Sequence, residues 1–123
     1  MIIGVGCDIV KISRISDLLK EYGMSFKKKI FTEDEINLGE RLDELLQASY
    51  YAKRFAAKEA FSKALGTGIG NGLGFLDIEV INNELGAPKI NCQKLGNKLA
   101  HLSLSDEREF AIAYVIVEKN GYR

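Results

Sequence analysis

Phe55-Ala56-Ala57-Lys58-Glu59-Ala60-Phe61-Ser62-Lys63-Ala64-Leu65-Gly66 is the stretch on which the fold turns. Ala57, Ala60, Phe61 and Ala64 recur at helical spacing and face a core. The three alanines leave room for another segment to come close. Glu59 and Lys63 stand four apart on a neighbouring stripe. Gly66 ends the helix in a left-handed conformation. A carboxylate, an ammonium and a glycine turn are thereby brought together. An exposed Glu–Lys pair at this spacing is common and contributes only about 0.2–0.5 kcal/mol. Spacing by itself therefore supports no more than a capped helix with an ion pair.

Upstream, the helical pattern extends back to about Asp43, with an interruption expected near Ser49. Thr32, with Glu35 three residues on, has the pattern of a capping box at the start of a second helix. Ser13 is the expected cap of a first helix that carries Ile15, Leu18, Leu19 and Tyr22 and ends at Gly23. Lys27-Lys28-Lys29 follows as a charge run. Residues 2–10 read as a buried strand. Ile3, Val5 and Cys7 share one of its faces; Gly4, Gly6 and Asp8 share the other.

Downstream, Gly66, Gly68, Gly70, Gly72 and Gly74 alternate with other residues in a loop. The loop either offers backbone N–H groups to phosphates or serves as a plain connection. It is not a dinucleotide fingerprint: Asn71 stands where a third glycine is required, and the loop follows a helix where a strand is needed. Nor does it carry the Gly-Lys-Ser/Thr of a P-loop. A strand from Phe75 to Ile81, turn chemistry over Asn82-Asn83-Glu84-Leu85-Gly86 and a strand from Lys89 to Cys92 make a hairpin. A short helix over about 94–101, a strand at 102–105, a charged loop at 106–109 and a strand at 110–118 complete the reading. The order lacks βαβ alternation, which predicts an α+β class.

The 123 residues fit one domain, spanning 1–123. Lys plus Arg and Asp plus Glu number 17 each, so net charge gives no ground for a nucleic-acid partner. Cys7 and Cys92 have neither disulfide-framework nor zinc-site spacing and read as small buried hydrophobes. No secretion signal is visible, and no apolar run approaches the ~20 residues of a membrane span. A cytoplasmic location is expected.

Asp8 is a charge inside an apolar strand, a costly placement unless it is paired or bound to a cation. A salt bridge or a helix cap would account for it as well as a metal does. Asp8 and Glu59 together suit a hard cation such as Mg2+, which takes few protein ligands and keeps room for water and phosphate oxygens.

At this point the residues resemble a known family. The run Phe55 to Gly68 is similar to the signature of the holo-acyl-carrier-protein synthases, the small bacterial class of phosphopantetheinyl transferases. Ile3-Gly4-Val5-Gly6-Cys7-Asp8-Ile9-Val10 with Arg14 resembles their N-terminal motif. The strand Phe75 to Glu79, the turn Asn83 to Pro88 and the ending Phe110-Ala111-Ile112-Ala113-Tyr114-Val115 fit as well, so the similarity spans essentially the whole chain.

The resemblance implies an α+β fold in which a small antiparallel sheet packs with a long helix. It implies transfer of 4'-phosphopantetheine from coenzyme A to a serine of apo-acyl-carrier-protein, leaving adenosine 3',5'-bisphosphate, in support of fatty acid biosynthesis. It implies Mg2+ held by Asp8 and Glu59, with Glu59 and Lys63 in catalysis. It further implies coenzyme A phosphates near Lys63, Gly66, Thr67 and Gly68, and a carrier protein met by Arg14. A homotrimer with interfacial active sites is implied too. The base stays open between Glu59 directly and Glu59 through a water. Arg14 with the lysine run 27–29 is expected to steer an acidic carrier protein, against the plain alternative of a solvated charge run.

One position departs from the family pattern. Ser105-Asp106 stands where a Ser-His pair is usual, and the only histidine is His101. Asp106 is expected to repel phosphate unless it turns away or binds a cation. Two rival functions share the same residues: a magnesium-dependent nucleotide phosphohydrolase, and a non-catalytic module that binds the carrier protein.

Overall fold

The computed structural model describes residues 1–119; residues 120–123 of the expected domain lie outside the described part. A 21-residue helix, α4 (Glu44–Ala64), forms the centre. It runs without interruption past Ser49, whose hydroxyl turns back on its own helix and donates to Leu46 O at 3.1 Å. On one side lies an antiparallel sheet in the order β1 (Ile2–Lys11), β5 (Phe110–Lys119), β4 (Lys98–Asp106). Around the rest pack α1 (Ile12–Tyr22), α2 (Met24–Ile30), α3 (Glu33–Glu40) and a hairpin, β2 (Glu79–Asn82) with β3 (Pro88–Asn91). The mixed architecture is the expected α+β class.

The inner sheet face is built from small residues. Ala111, Ala113, Val115 and Val117 of β5 are all fully buried. Gly4 and Gly6 of β1 meet α4 directly: a Cβ at Gly4 would lie 1.8 Å from Ala64 O, and one at Gly6 would lie 1.9 Å from Ala60 O. Two strand residues span about 6.6 Å and four helical residues about 6 Å, so the two glycines match successive helical turns. Phe61, Ile15 and Ile78 are completely buried around this crossing. Burial of each such side chain contributes about 1.5–3 kcal/mol.

Several expectations are corrected. The strand over residues 2–10 is not buried on both sides: Val5 and Ile9 on its outer face are 50% and 58% exposed. Cys7 shares that face and is exposed, whereas Cys92 is buried as expected. Helix α1 begins at Ile12 with Lys11 at its cap position, and Ser13 does not cap it. The Ile12 N–H is already taken by Glu109 O at 2.8 Å.

Lys27–Lys29 lies within α2, a helix the charge run did not suggest. Residues 75–77 form a 3-10 turn closed by Gly74 N donating to Asp77 Oδ2 at 2.8 Å, so the strand starts only at Glu79. Its hairpin partner covers Pro88–Asn91, one residue earlier than expected. The expected helix over 94–101 is a 3-10 turn at Gln93–Leu95 followed by β4. Gly96 (φ 63°) stops the turn. Ala100, Leu102 and Leu104 then alternate inward at the strand period.

The Thr32 capping box is present: Glu35 N donates to Thr32 Oγ1 and Thr32 N donates to Glu35 Oε1. The hairpin turn is held by Asn83 Oδ1, which accepts from Leu85 N and Ala87 N, both at 2.9 Å.

Candidate functional site

The close crossing of β1 over α4 builds the site. Gly6 lies against Ala60 and Gly4 against Ala64. Asp8 follows on the same strand face and lands beside the flank of α4 that carries Glu59 and Lys63. Lys63 Nζ donates to Asp8 Oδ1 at 3.2 Å and to Cys7 O at 3.0 Å. Two of its three ammonium hydrogens are thus used, and the third faces solvent on a side chain that is 53% exposed.

Burial lifts the Glu59 carboxyl above the usual glutamate range, and the charge of Asp8 lifts it further. Lys63 and Arg14 oppose the shift. Two neighbouring carboxylates, one of them held back from ionising, form a donor set that a divalent cation would satisfy. Among the described residues no third His, Cys, Asp or Glu joins them. Magnesium fits such a pair, because its remaining positions are ordinarily filled by water and phosphate oxygens.

Arg14, in the first turns of α1, places its guanidinium carbon 5.7 Å from the Phe55 ring centroid. It therefore stands beside Glu59 instead of on a remote face. Lys27 does not join it at the surface. Its ammonium bonds Glu40 at 2.7 Å and lies 5.3 Å from the Tyr51 ring centroid. Lys27 is buried, so only Lys28 and Lys29 remain as exposed charge.

The glycine loop is tied into itself. Gly66 N donates to Lys63 O, while Thr67 N and Gly68 N both donate to Ser62 O. Gly70 N and Gly72 N are also engaged within the loop, by Leu73 O and Gly70 O. These N–H groups are spent on the helix end and the turns, which removes the donors that a backbone phosphate nest would need. Gly66 takes φ 83° as the helix terminator. Gly66, Thr67 and Gly68 remain next to Lys63 by position, with Thr67 Oγ1 bonded to Gly68 O at 2.9 Å.

Asp106 at the end of β4 meets a cation: Lys53 Nζ lies 3.6 Å from its Oδ1. Of the arrangements expected for this residue, pairing with a cation is the one observed. His101 is bonded to Glu118 at 2.8 Å on the outer sheet face.

Sequence reasoning missed Arg54 and the Lys58–Glu35 pair. Arg54 is buried with its guanidinium carbon 4.0 Å from the Tyr50 ring centroid, and its Nε has no partner among the described residues. Lys58 and Glu35 form an ion pair at 2.6 Å with both side chains almost fully buried. The only available signal for either was a charge on an otherwise apolar helix face.

Comparison with known proteins gives the family of the chain. Residues 4–115 match the family model of the 4'-phosphopantetheinyl transferase superfamily. A holo-[acyl-carrier-protein] synthase of Ehrlichia ruminantium is 45% identical over 123 residues, covering 98% of this chain and all of its own. One from a Wolbachia of Drosophila simulans is also 45% identical, over 95% of this chain and 98% of its own. Among solved structures, the holo-(acyl-carrier-protein) synthase of Bacillus anthracis in complex with coenzyme A (3',5'-ADP) superposes with a TM-score of 0.89 at 42% identity. That match covers 98% of this chain and 99% of the other. The Helicobacter pylori enzyme in complex with coenzyme A superposes at 0.83 with 39% identity, over 93% and 99%.

Proposed function

The chain belongs to the 4'-phosphopantetheinyl transferase superfamily, and on that premise we propose that it transfers 4'-phosphopantetheine from coenzyme A to a serine of apo-acyl-carrier-protein. The observation that carries this reading is the meeting of Asp8, Glu59 and Lys63 at the β1–α4 crossing. It joins two carboxylates suited to a cation to an ammonium with a free donor, which is what a pyrophosphate substrate requires.

In the proposed reaction the carrier serine oxygen forms a bond to the β-phosphorus of coenzyme A. The bond from that phosphorus to the bridging pyrophosphate oxygen breaks, and adenosine 3',5'-bisphosphate leaves. Asp8 and Glu59 would hold Mg2+, which when bound supplies Lewis acidity and neutralises charge on the phosphates. Lys63 keeps Asp8 in place and directs its remaining N–H at a phosphate oxygen. Glu59, with its raised proton affinity, takes the serine proton directly or through a water. Arg14, on the helix that borders Glu59, meets the carrier protein. Most of the catalysis then comes from positioning and charge, with no covalent enzyme intermediate. Paired with Lys53, Asp106 does not act as an unbalanced charge against phosphate.

The test is to incubate the protein with coenzyme A, magnesium and apo-carrier protein and to weigh the carrier by mass spectrometry. A phosphopantetheine increment is expected. Breakdown of coenzyme A without that increment means a hydrolase, and carrier binding alone means a non-catalytic module.

The outer face of the sheet supports a homotrimer. Ile3, Val5, Ile9, Ile112 and Tyr114 expose apolar side chains on one face, the kind of surface a partner copy would cover. Val5→Glu is expected to shift the protein to monomer in analytical ultracentrifugation, with the helical circular dichroism unchanged. A trimer of undiminished stability in that variant would show that the copies meet elsewhere. No helix among the described residues is long and apolar enough to cross a membrane, and a cytoplasmic site of action fits the two substrates.

A further inference from the structure

Lys58 stands one residue before Glu59, but its side chain leaves α4 about 100° further round, into the interior. It is completely buried. Its three ammonium hydrogens have three acceptors: Glu35 Oε1 at 2.6 Å, Ile30 O at 2.8 Å and Phe75 O at 3.2 Å. Both oxygens of Glu35 are engaged in turn. Its Oε1 also accepts from Thr32 N at 2.8 Å, and its Oε2 accepts from Val80 N at 2.7 Å. One buried pair thus binds the end of α2, the start of α3, the exit of the glycine loop and strand β2 to the helix that carries the site.

The glycine loop is thereby closed at both ends on the same stretch of α4. Its entry hangs on Ser62 O and Lys63 O. Its exit, Phe75 O, hangs on Lys58 Nζ. Glu59 and Lys63 lie between or at these anchors. A buried ion pair adds little net stability over an apolar pair of the same size. What an apolar side chain does not supply is a three-pronged donor for two backbone carbonyls and a carboxylate on separate segments.

We propose that Lys58 is a positioning residue for the coenzyme A site: by holding the exit of the glycine loop it fixes the loop against Lys63. The proposal rests on the transferase reading for its substrate, but not for its structural claim. In Lys58→Met the ammonium is lost to all three acceptors. Phe75 O keeps Ile78 N, and Glu35 keeps Thr32 N and Val80 N. The tie of the loop exit to α4 is gone, while α4 keeps Glu59 and Lys63.

The experiment compares the parent with Lys58→Met, and with Lys58→Met/Glu35→Gln in case the single variant does not fold. Amide hydrogen exchange over residues 66–75 is expected to quicken while β5 keeps its protection. The KM for coenzyme A is expected to rise about tenfold, because the loop bordering Lys63 is no longer held in one arrangement and must be ordered on binding. The kcat and the KM for the carrier should stay near the parent values. Unchanged exchange in the loop together with an unchanged KM for coenzyme A overturns the proposal. So does a uniform loss of protection and activity across the whole fold. A parent that neither binds coenzyme A in calorimetry nor transfers from it sinks the transferase reading alone, and the exchange measurement still decides whether Lys58 closes the loop.

Discussion

Glu59→Gln is expected to abolish measurable transfer, a loss of at least about 10³-fold in kcat, because it removes charge stabilisation made at the reacting phosphates. The same variant should be no less stable than the parent. Burial first, and then the charge of Asp8, raises the folded-state pKa of Glu59 above the usual 4.5. A carboxyl raised in this way holds more protons in the folded state than in the unfolded state. Its favourable contribution is therefore complete below the unfolded value and fades as pH rises through the folded one. At neutral pH the ionised side chain is a burden that glutamine removes. The thermal midpoint of the variant should then equal or exceed that of the parent at pH 7. The difference should vanish as pH falls below the usual glutamate value.

Magnesium provides a readout independent of turnover. It should raise the parent's midpoint, since a ligand that binds only the folded state stabilises it, and should leave the variant's unchanged. Near-normal turnover of Glu59→Gln at saturating magnesium would remove the metal role assigned to this residue.

Gly6→Ala, like Gly4→Ala, should be among the most damaging single methyl additions to the protein. The added Cβ would sit 1.9 Å from Ala60 O and 2.8 Å from Ala64 N, and both obstacles are helix backbone with no side chain to swing aside. Either β1 lifts off α4 or the helix bends. Overpacking of a core ordinarily costs 1–3 kcal/mol, and a clash with fixed backbone lies at or above the top of that range, about 3 kcal/mol. A urea melt is expected to show a lower midpoint with a similar slope. Activity per folded molecule should fall as well, because lifting β1 carries Asp8 away from Glu59 and Lys63. A variant with the parent's midpoint and activity would mean that the two backbones do not cross this closely.

Much of the fold was legible where a residue's role is settled within one turn of chain. The Thr32–Glu35 box, the Gly66 terminator and the Asn83 turn each satisfy backbone groups through partners at most a few residues away. The long helix was legible because its core-facing alanines and Phe61 repeat at helical spacing. Failures arose where distant segments decide. Leu99 to Leu104 supports either a short helix or a strand, and pairing with β5 selects the strand. Lys27 looked like part of a solvated run, yet Glu40 and Tyr51 draw it inside.

The sequence by itself determined the candidate chemistry: Asp8, Glu59 and Lys63 are the groups available for a cation and a phosphate, and the resemblance that names their use is written in residue order. Only the tertiary structure decided which face of β1 turns inward. The inward face is the glycine face and not the more hydrophobic one, because Gly4 and Gly6 alone admit the backbone of α4. That choice carries Asp8 across some fifty residues of sequence to Lys63. It also leaves Val5 and Ile9 outward, and it gives the interior flank of α4 to Lys58, whose three bonds to three separate segments no local pattern could announce.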